Sequence, residues 1–239
     1  MVILLDVEGA TTSISFVYER LFPYVTENVM AFLRQRWEDA DVVEAVSALR
    51  ELSESDVESG TETSAIPAVG DPALVRDAVV ENVLKQMATD RKSTALKLLQ
   101  GLIWRDGYRS GAIKGHVYAD VLDAFRLWHS RGERIYIYSS GSVGAQKLLF
   151  AHAEVGDLTP FLSGHFDTTT GPKKESASYT KIAEAIGTDP GEILFLTDNL
   201  DEARAAREAS MKVVITVRPG NHDLPDHDFD TVKSFALLR

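Results

Sequence analysis

Residues 2–9 read Val2-Ile3-Leu4-Leu5-Asp6-Val7-Glu8-Gly9, an apolar run that stops abruptly at an acidic residue. A short run of this kind, with β-branched members and a polar close, is the pattern of a buried strand. Two later runs repeat it: Ile135–Tyr138 ends at Ser139 and Ser140, and Ile193–Leu196 ends at Thr197 and Asp198. A helical pattern follows each of these two, so the runs read as parallel βα units. A fourth run, Val213–Val217, stops at the turn Arg218-Pro219-Gly220. In an open parallel sheet, ligands gather beyond the carboxyl ends of the strands. The sequence therefore predicts an α/β fold in which the polar residues at three strand ends meet in one crevice.

The stretch between the first and second strands has another character. Phe22 to Leu52 reads as helix, with Val25, Val29, Phe32 and Leu33 at helical spacing, and Leu74 to Trp104 reads as helix again. Ser53 to Pro72 is rich in Ser, Glu, Gly and Pro and reads as loop, and the acidic segment Glu51 to Glu62 reads as a solvated loop. So much helix is too long for a simple crossover. It reads as an inserted helical cap over residues 20–108, with 1–19 and 109–239 forming the α/β core. The alternative is a helical extension packed on the sheet with no lid role.

Composition narrows the function. The chain carries 36 Asp and Glu against 25 Lys and Arg, a formal net charge of −11. Such a surface repels nucleic acid and anionic lipid. It also repels a phosphorylated metabolite, so a site for one must gather positive potential locally, from a metal ion, a lysine and oriented backbone N–H groups. Cysteine is absent, which rules out disulfides and thiolate metal sites and fits a reducing compartment. The apolar run at Val2 has no basic residue before it, and no apolar stretch approaches the roughly 20 residues of a membrane-spanning helix. A cytoplasmic protein without membrane or nucleic-acid partners is the expectation. No heptad seam appears, and a monomer is expected.

Each strand end offers chemistry, and each has a plainer reading beside it. Asp6 and Glu8 fit a turn or cap, but a carboxylate can also attack phosphorus, and a second one two residues on can protonate the leaving oxygen and then activate water. Ser139-Ser140-Gly141-Ser142 fits a helix cap or an anion site made of hydroxyls and free N–H groups. Lys173 and Lys174 fit surface charge, or one of them, held in a Gly171-Pro172 turn, neutralises a phosphate together with the nucleophile. Asp198 and Asp6, converging from separate strands, would supply the one or two carboxylates that Mg2+ takes. His222 and His227, in a Pro-containing loop, read as surface residues.

The ordered set is specific: Asp-x-Glu after one strand, Ser-Ser-Gly after the next, a later lysine, then Thr-Asp. It resembles the four signature motifs of haloacid-dehalogenase-type phosphotransferases, most of which have Asp-x-Asp at the first position. The Glu variant in Asp6-Val7-Glu8-Gly9-Ala10-Thr11-Thr12-Ser13 is similar to the enolase-phosphatase branch. So are Leu21-Phe22-Pro23-Tyr24, Gln100-Gly101-Leu102-Ile103-Trp104, Gly164-His165-Phe166-Asp167-Thr168 and Val217-Arg218-Pro219-Gly220-Asn221. Ala10 departs, standing where the family usually has Thr. The resemblance implies a Rossmann-like core with a helical cap, and an enzyme of methionine salvage. It would enolise 2,3-diketo-5-methylthiopentyl 1-phosphate and then remove its phosphate to give an acireductone. It further implies Asp6 as nucleophile and Mg2+ ligand, Asp198 as the other side-chain ligand, and Glu8 as acid–base group lending its backbone carbonyl to the metal. Ser139, Ser140 and Lys173 would bind the phosphate. Two alternatives stay open: a general small-metabolite phosphatase on the same scaffold, and a non-catalytic phosphometabolite-binding protein.

Overall fold

The computed structural model describes residues 1–238. Six strands form one sheet in the order β3-β2-β1-β4-β5-β6, with every neighbouring pair parallel. They are β1 (Val2–Leu5), β2 (Arg134–Tyr138), β3 (Leu162–Phe166), β4 (Ile193–Thr197), β5 (Lys212–Thr216) and β6 (Asp230–Val232). The four apolar runs are β1, β2, β4 and β5. The other two strands escape a periodicity reading, because β3 is Leu-Ser-Gly-His-Phe on a sheet edge and β6 has three residues. The strand order reverses at β1, which has β2 on one side and β4 on the other. In this arrangement the switch point is where a crevice opens. Leu5 lies level with Ile137 and with Leu196, so Asp6 emerges between Tyr138 and Thr197.

By compactness the described residues fall into two units, Met1–Tyr18 with the chain from Lys114 onward, and Glu19–Ile113. In the first, side chains alternate across the sheet. Val2 and Leu4 join Ile193 and Phe195 under helices α8 (Ser176–Ile186) and α9 (Leu200–Glu208), where Tyr179, Ile182, Ala205 and Ala206 are buried. Ile3 and Leu5 point the other way and are also fully buried. Helix α6 (Val121–Ser130) brings Phe125 to 6.2 Å from Phe150 of α7 (Val143–Ala151), and Trp128 to 5.4 Å from Phe235. Between these two layers β1 is buried along its whole length.

The second unit follows a single helical turn, α1 (Ile14–Phe16), capped by Ser13 and running into a wider turn over Val17–Leu21. It holds four helices: α2 (Phe22–Arg36), α3 (Ala40–Glu58), α4 (Pro72–Ala88) and α5 (Thr94–Ser110). The two long helices read from the sequence are thus four. The first breaks where Asp39 takes an extended conformation, with φ −66° and ψ 134°. The second breaks where Asp90 adopts a left-handed φ of 50° and Ser93 restarts the chain by accepting from Leu96 N–H. Asp tolerates that conformation better than most residues, and Ser is a favoured N-cap. The acidic segment read as loop is helical to Glu58. Two of its polar residues turn inward, with Asp56 paired to Arg91 and the Ser53 hydroxyl accepting from Ile66 N–H and reaching Ser64 O. Among the described residues, no helix is long and apolar enough to cross a membrane.

Candidate active site

Asp6 leaves β1 with its N–H bonded to Leu196 O, which carries the parallel ladder one residue past the strand. Its carboxylate is buried and held from three sides. Oδ1 accepts from Val7 N–H at 2.7 Å and sits 2.7 Å from Lys173 Nζ, and Oδ2 lies 3.1 Å from the Thr197 hydroxyl. Each carboxylate oxygen has two acceptor directions, so Oδ2 keeps one for a further ligand.

Lys173 is 8% exposed. Its turn is fixed by buried hydroxyls: Tyr138 donates to Gly171 O, Ser178 to Pro172 O and Tyr179 to Lys173 O. The ammonium reaches a second carboxylate, Glu202 Oε2, at 2.6 Å, and lies 5.6 Å from the centre of the Tyr138 ring. Burial works to lower the Lys173 pKa, but the charges of Asp6 and Glu202 outweigh it and hold the amine above its ordinary value, so it stays a cation. Lys174 points away and pairs with Asp201 on the surface.

Asp198 follows β4. Burial, reinforced by the Asp6 charge and opposed by Lys173, pushes its carboxyl up to about 7, with Glu8 adding a smaller push in the same direction. That influence puts Glu8 in the same field. Gly9 explains how Asp198 fits: it adopts φ +70°, and a Cβ there would overlap the Asp198 carboxylate. Only a glycine lets the backbone pass so close.

Ser139 and Ser140 come to the same sheet edge from β2. Ser139 Oγ accepts from Gly141 N–H, and Ser142, not Ser139, caps α7. The loop is shaped from beneath by Gln146, which donates to Gly141 O and Phe166 O, and by Asp167, which accepts from Val143 N–H. Ala10 is fully buried, and the neighbouring Thr11 hydroxyl is spent on the carbonyls of Asp6 and Val7.

Glu202 is the residue the sequence reading passed over. It is buried, faces the Thr197 hydroxyl at 3.1 Å, and is pushed above the usual carboxylate range by burial and by the Asp6 charge. In the sequence it shows only as one of two acids in the first turn of a helix whose N-cap is Asn199, where an acid is favoured whatever it faces.

The interior thus sets three carboxylates, Asp6, Asp198 and Glu202, against one ammonium. Among the described residues no group of three His, Asp or Glu is arranged to hold a metal. A hard divalent cation that keeps several waters does not need three. Asp6 and Asp198 offer hard oxygens with charge to offset, and Gly9, lacking a Cβ, leaves the Asp198 carboxylate its place against the loop, so the donor set fits such an ion.

The chain is similar to known proteins along its length. A model of the haloacid dehalogenase-like hydrolases matches residues 1–210. Enolase-phosphatase E1 of Anopheles gambiae is 48% identical over 239 residues, covering 99% of this chain and 81% of its own. An Arabidopsis thaliana protein named "Probable bifunctional methylthioribulose-1-phosphate dehydratase/enolase-phosphatase E1" is 48% identical over 241 residues, covering 99% of this chain and 47% of its own. The crystal structure of the UTR4 protein of Saccharomyces cerevisiae superposes with a TM-score of 0.80 at 35% identity, over 99% of this chain and 98% of that one. The chain belongs to the haloacid dehalogenase-like hydrolases and, within them, to the enolase-phosphatases.

Proposed function

We propose that this chain is a Mg2+-dependent enolase-phosphatase that converts 2,3-diketo-5-methylthiopentyl 1-phosphate to the acireductone 1,2-dihydroxy-3-keto-5-methylthiopentene and phosphate. The observation that carries this reading is the buried Asp6 carboxylate, held by Lys173 and Thr197 at a strand end beside Asp198. A fusion in Arabidopsis whose name joins a methylthioribulose-1-phosphate dehydratase to this activity supports the substrate.

In the phosphatase half, Asp6 attacks phosphorus and forms an acyl phosphate as the bond from phosphorus to the enol oxygen breaks. Glu8 delivers a proton to that oxygen. It then takes one from a water that attacks the same phosphorus, releasing phosphate and restoring Asp6. Lys173 stays charged throughout and offsets the phosphoryl oxygens, while the hydroxyls and N–H groups of Ser139 and Ser140 grip them. Asp6, Asp198 and the Glu8 backbone carbonyl would hold Mg2+, which supplies positive charge to the transferring phosphoryl group. In the enolase half a base withdraws the proton on the carbon bearing the phosphate, and the neighbouring carbonyl oxygen gains one. Glu8, one methylene longer than the usual Asp, is our candidate for that base.

The helical unit Glu19–Ile113 is our candidate for a cap that meets the methylthio end. It enters and leaves the chain between the β1 loop and α6, as an insertion would. We read the enzyme as a cytoplasmic monomer. Phosphate release and ultraviolet absorbance of the enol, followed together on the diketo phosphate with and without Mg2+, test the proposal. Both signals are expected only with metal. Phosphate from many simple esters but no enol from the diketone would make this a general phosphatase. If Glu8→Gln enolised at the normal rate while losing phosphate release, the base would lie elsewhere.

A further inference from the structure

Past Asp6 the chain turns through Gly9, Ala10 and Thr11, and their carbonyls all meet donors that the chemistry above does not use. Gly9 O accepts from the Thr216 hydroxyl at 2.9 Å and from Asn221 Nδ2 at 3.0 Å. Ala10 O accepts from Arg218 Nε at 3.0 Å, and Thr11 O from Tyr118 N–H at 3.0 Å. Thr216 and Arg218 are both buried. The Arg218 guanidinium lies between the rings of Tyr118 and Phe235, at 4.8 and 4.2 Å, and pairs with Asp120 at 2.8 Å. Asp120 Oδ2 in turn accepts from the Ser234 hydroxyl at 2.8 Å and from Phe235 N–H at 2.6 Å.

The turn does not need these donors to close. Gly9 N–H already bonds to Thr12 O, and the N–H groups of Thr11 and Thr12 both bond to Val7 O. The outer donors therefore decide where the turn sits, not whether it forms. Arg218 Nη1 also donates to Lys233 O at 3.1 Å, so one buried guanidinium ties the Ala10 carbonyl to the chain just past β6. What lies on the turn's inner side is Asp198, resting against the bare face of Gly9.

We propose that Thr216, Arg218 and Asn221 form a positioning clamp that fixes the nucleophile loop through the Gly9 and Ala10 carbonyls and thereby sets Asp198 against Asp6. The proposal rests on the phosphatase reading given above. None of the three touches the reacting atoms.

Thr216 allows a clean test, because Thr216→Val keeps the shape and loses the hydroxyl, whereas Thr216→Ser keeps the hydroxyl and loses the methyl. For phosphate release from the diketo phosphate and from p-nitrophenyl phosphate, Thr216→Val should lower kcat about tenfold or more, with KM moving less than about threefold. Thr216→Ser should stay near wild type. Mg2+ binding without substrate, followed by calorimetry, should weaken in the Val variant and not in the Ser variant. Asn221→Ala, at a partly exposed turn, should follow the Val pattern and serves if Thr216→Val fails to fold.

A Val variant at wild-type kcat with an impaired Ser variant would mean that Thr216 only packs, and the clamp would be wrong. Hydrolysis of p-nitrophenyl phosphate alone, with the Val and Ser difference intact, would overturn the substrate assignment and leave the clamp standing. If wild type cleaved neither ester, Mg2+ binding would decide: unequal affinities uphold the clamp and equal ones overturn it.

Discussion

At the scale of the residue, the site hinges on one ammonium between two buried carboxylates. Removing Lys173 leaves Asp6 and Glu202 facing each other without compensation. Lys173→Met should therefore destabilise the protein by about 3–5 kcal/mol in urea denaturation, the range seen when one partner of a buried ion pair is deleted. The double variant Lys173→Met/Glu202→Gln should regain part of that stability and none of the phosphatase activity. A single variant as stable as wild type would show that the carboxylates do not depend on the lysine. Gly9 makes the complementary case, since its importance is the atom it lacks. Gly9→Ala meets both a left-handed φ of +70° and the Asp198 carboxylate. A drop of about a hundredfold in kcat with an unchanged circular dichroism spectrum is the expected outcome.

At the scale of the element, the ends matter more than the middles. Ser93 restarts the chain as α5 by accepting from Leu96 N–H, and its hydroxyl also donates to Gln86 Oε1 at 2.6 Å. Ser93→Ala should cost about 1–2 kcal/mol, measured by urea denaturation, and leave turnover on p-nitrophenyl phosphate unchanged. Strand β3 carries a pH-dependent contribution. Burial, with the Lys147 charge, lowers the His165 pKa from 6.5 to about 4, and its Nδ1 is 3.1 Å from Gln146 Oε1. Between those values the unfolded chain binds a proton at this position that the folded chain does not. The stability conferred is fully present above about 6.5 and is lost as the pH falls towards 4. His165→Gln should flatten that part of the stability profile, measured as melting temperature against pH, and a variant with the wild-type slope would exclude His165 as its source.

At the scale of the whole molecule, a formal charge of −11 surrounds a site built for a dianionic ester. Distant repulsion is screened by salt, while the buried contacts with Lys173 are screened much less. Between about 10 and 150 mM salt, kcat/KM should therefore rise, with kcat nearly constant. A fall over that range would mean that attraction near the crevice outweighs the net charge.

Much of this was legible in the chain. Four of the six strands announced themselves as apolar runs because a buried parallel strand has no solvent face and so needs no polar alternation. Their polar closures named Asp6, Glu8, Ser139, Ser140 and Asp198 as strand-end residues, and the Gly171-Pro172 turn singled out the lysines after it. The edge strand β3 was silent for the converse reason: half-exposed, it tolerates Ser, Gly and His. The breaks inside the helical unit were equally hidden, since Ser53 and Asp56 look like loop residues until their buried partners are seen. Only the tertiary structure decided that Glu202 joins Lys173, and that Thr216, Arg218 and Asn221 reach back to carbonyls about two hundred positions earlier. The pattern of side chains sets local structure, whereas backbone carbonyls carry no sequence signature, and which donor finds them depends on how the strands are ordered in space.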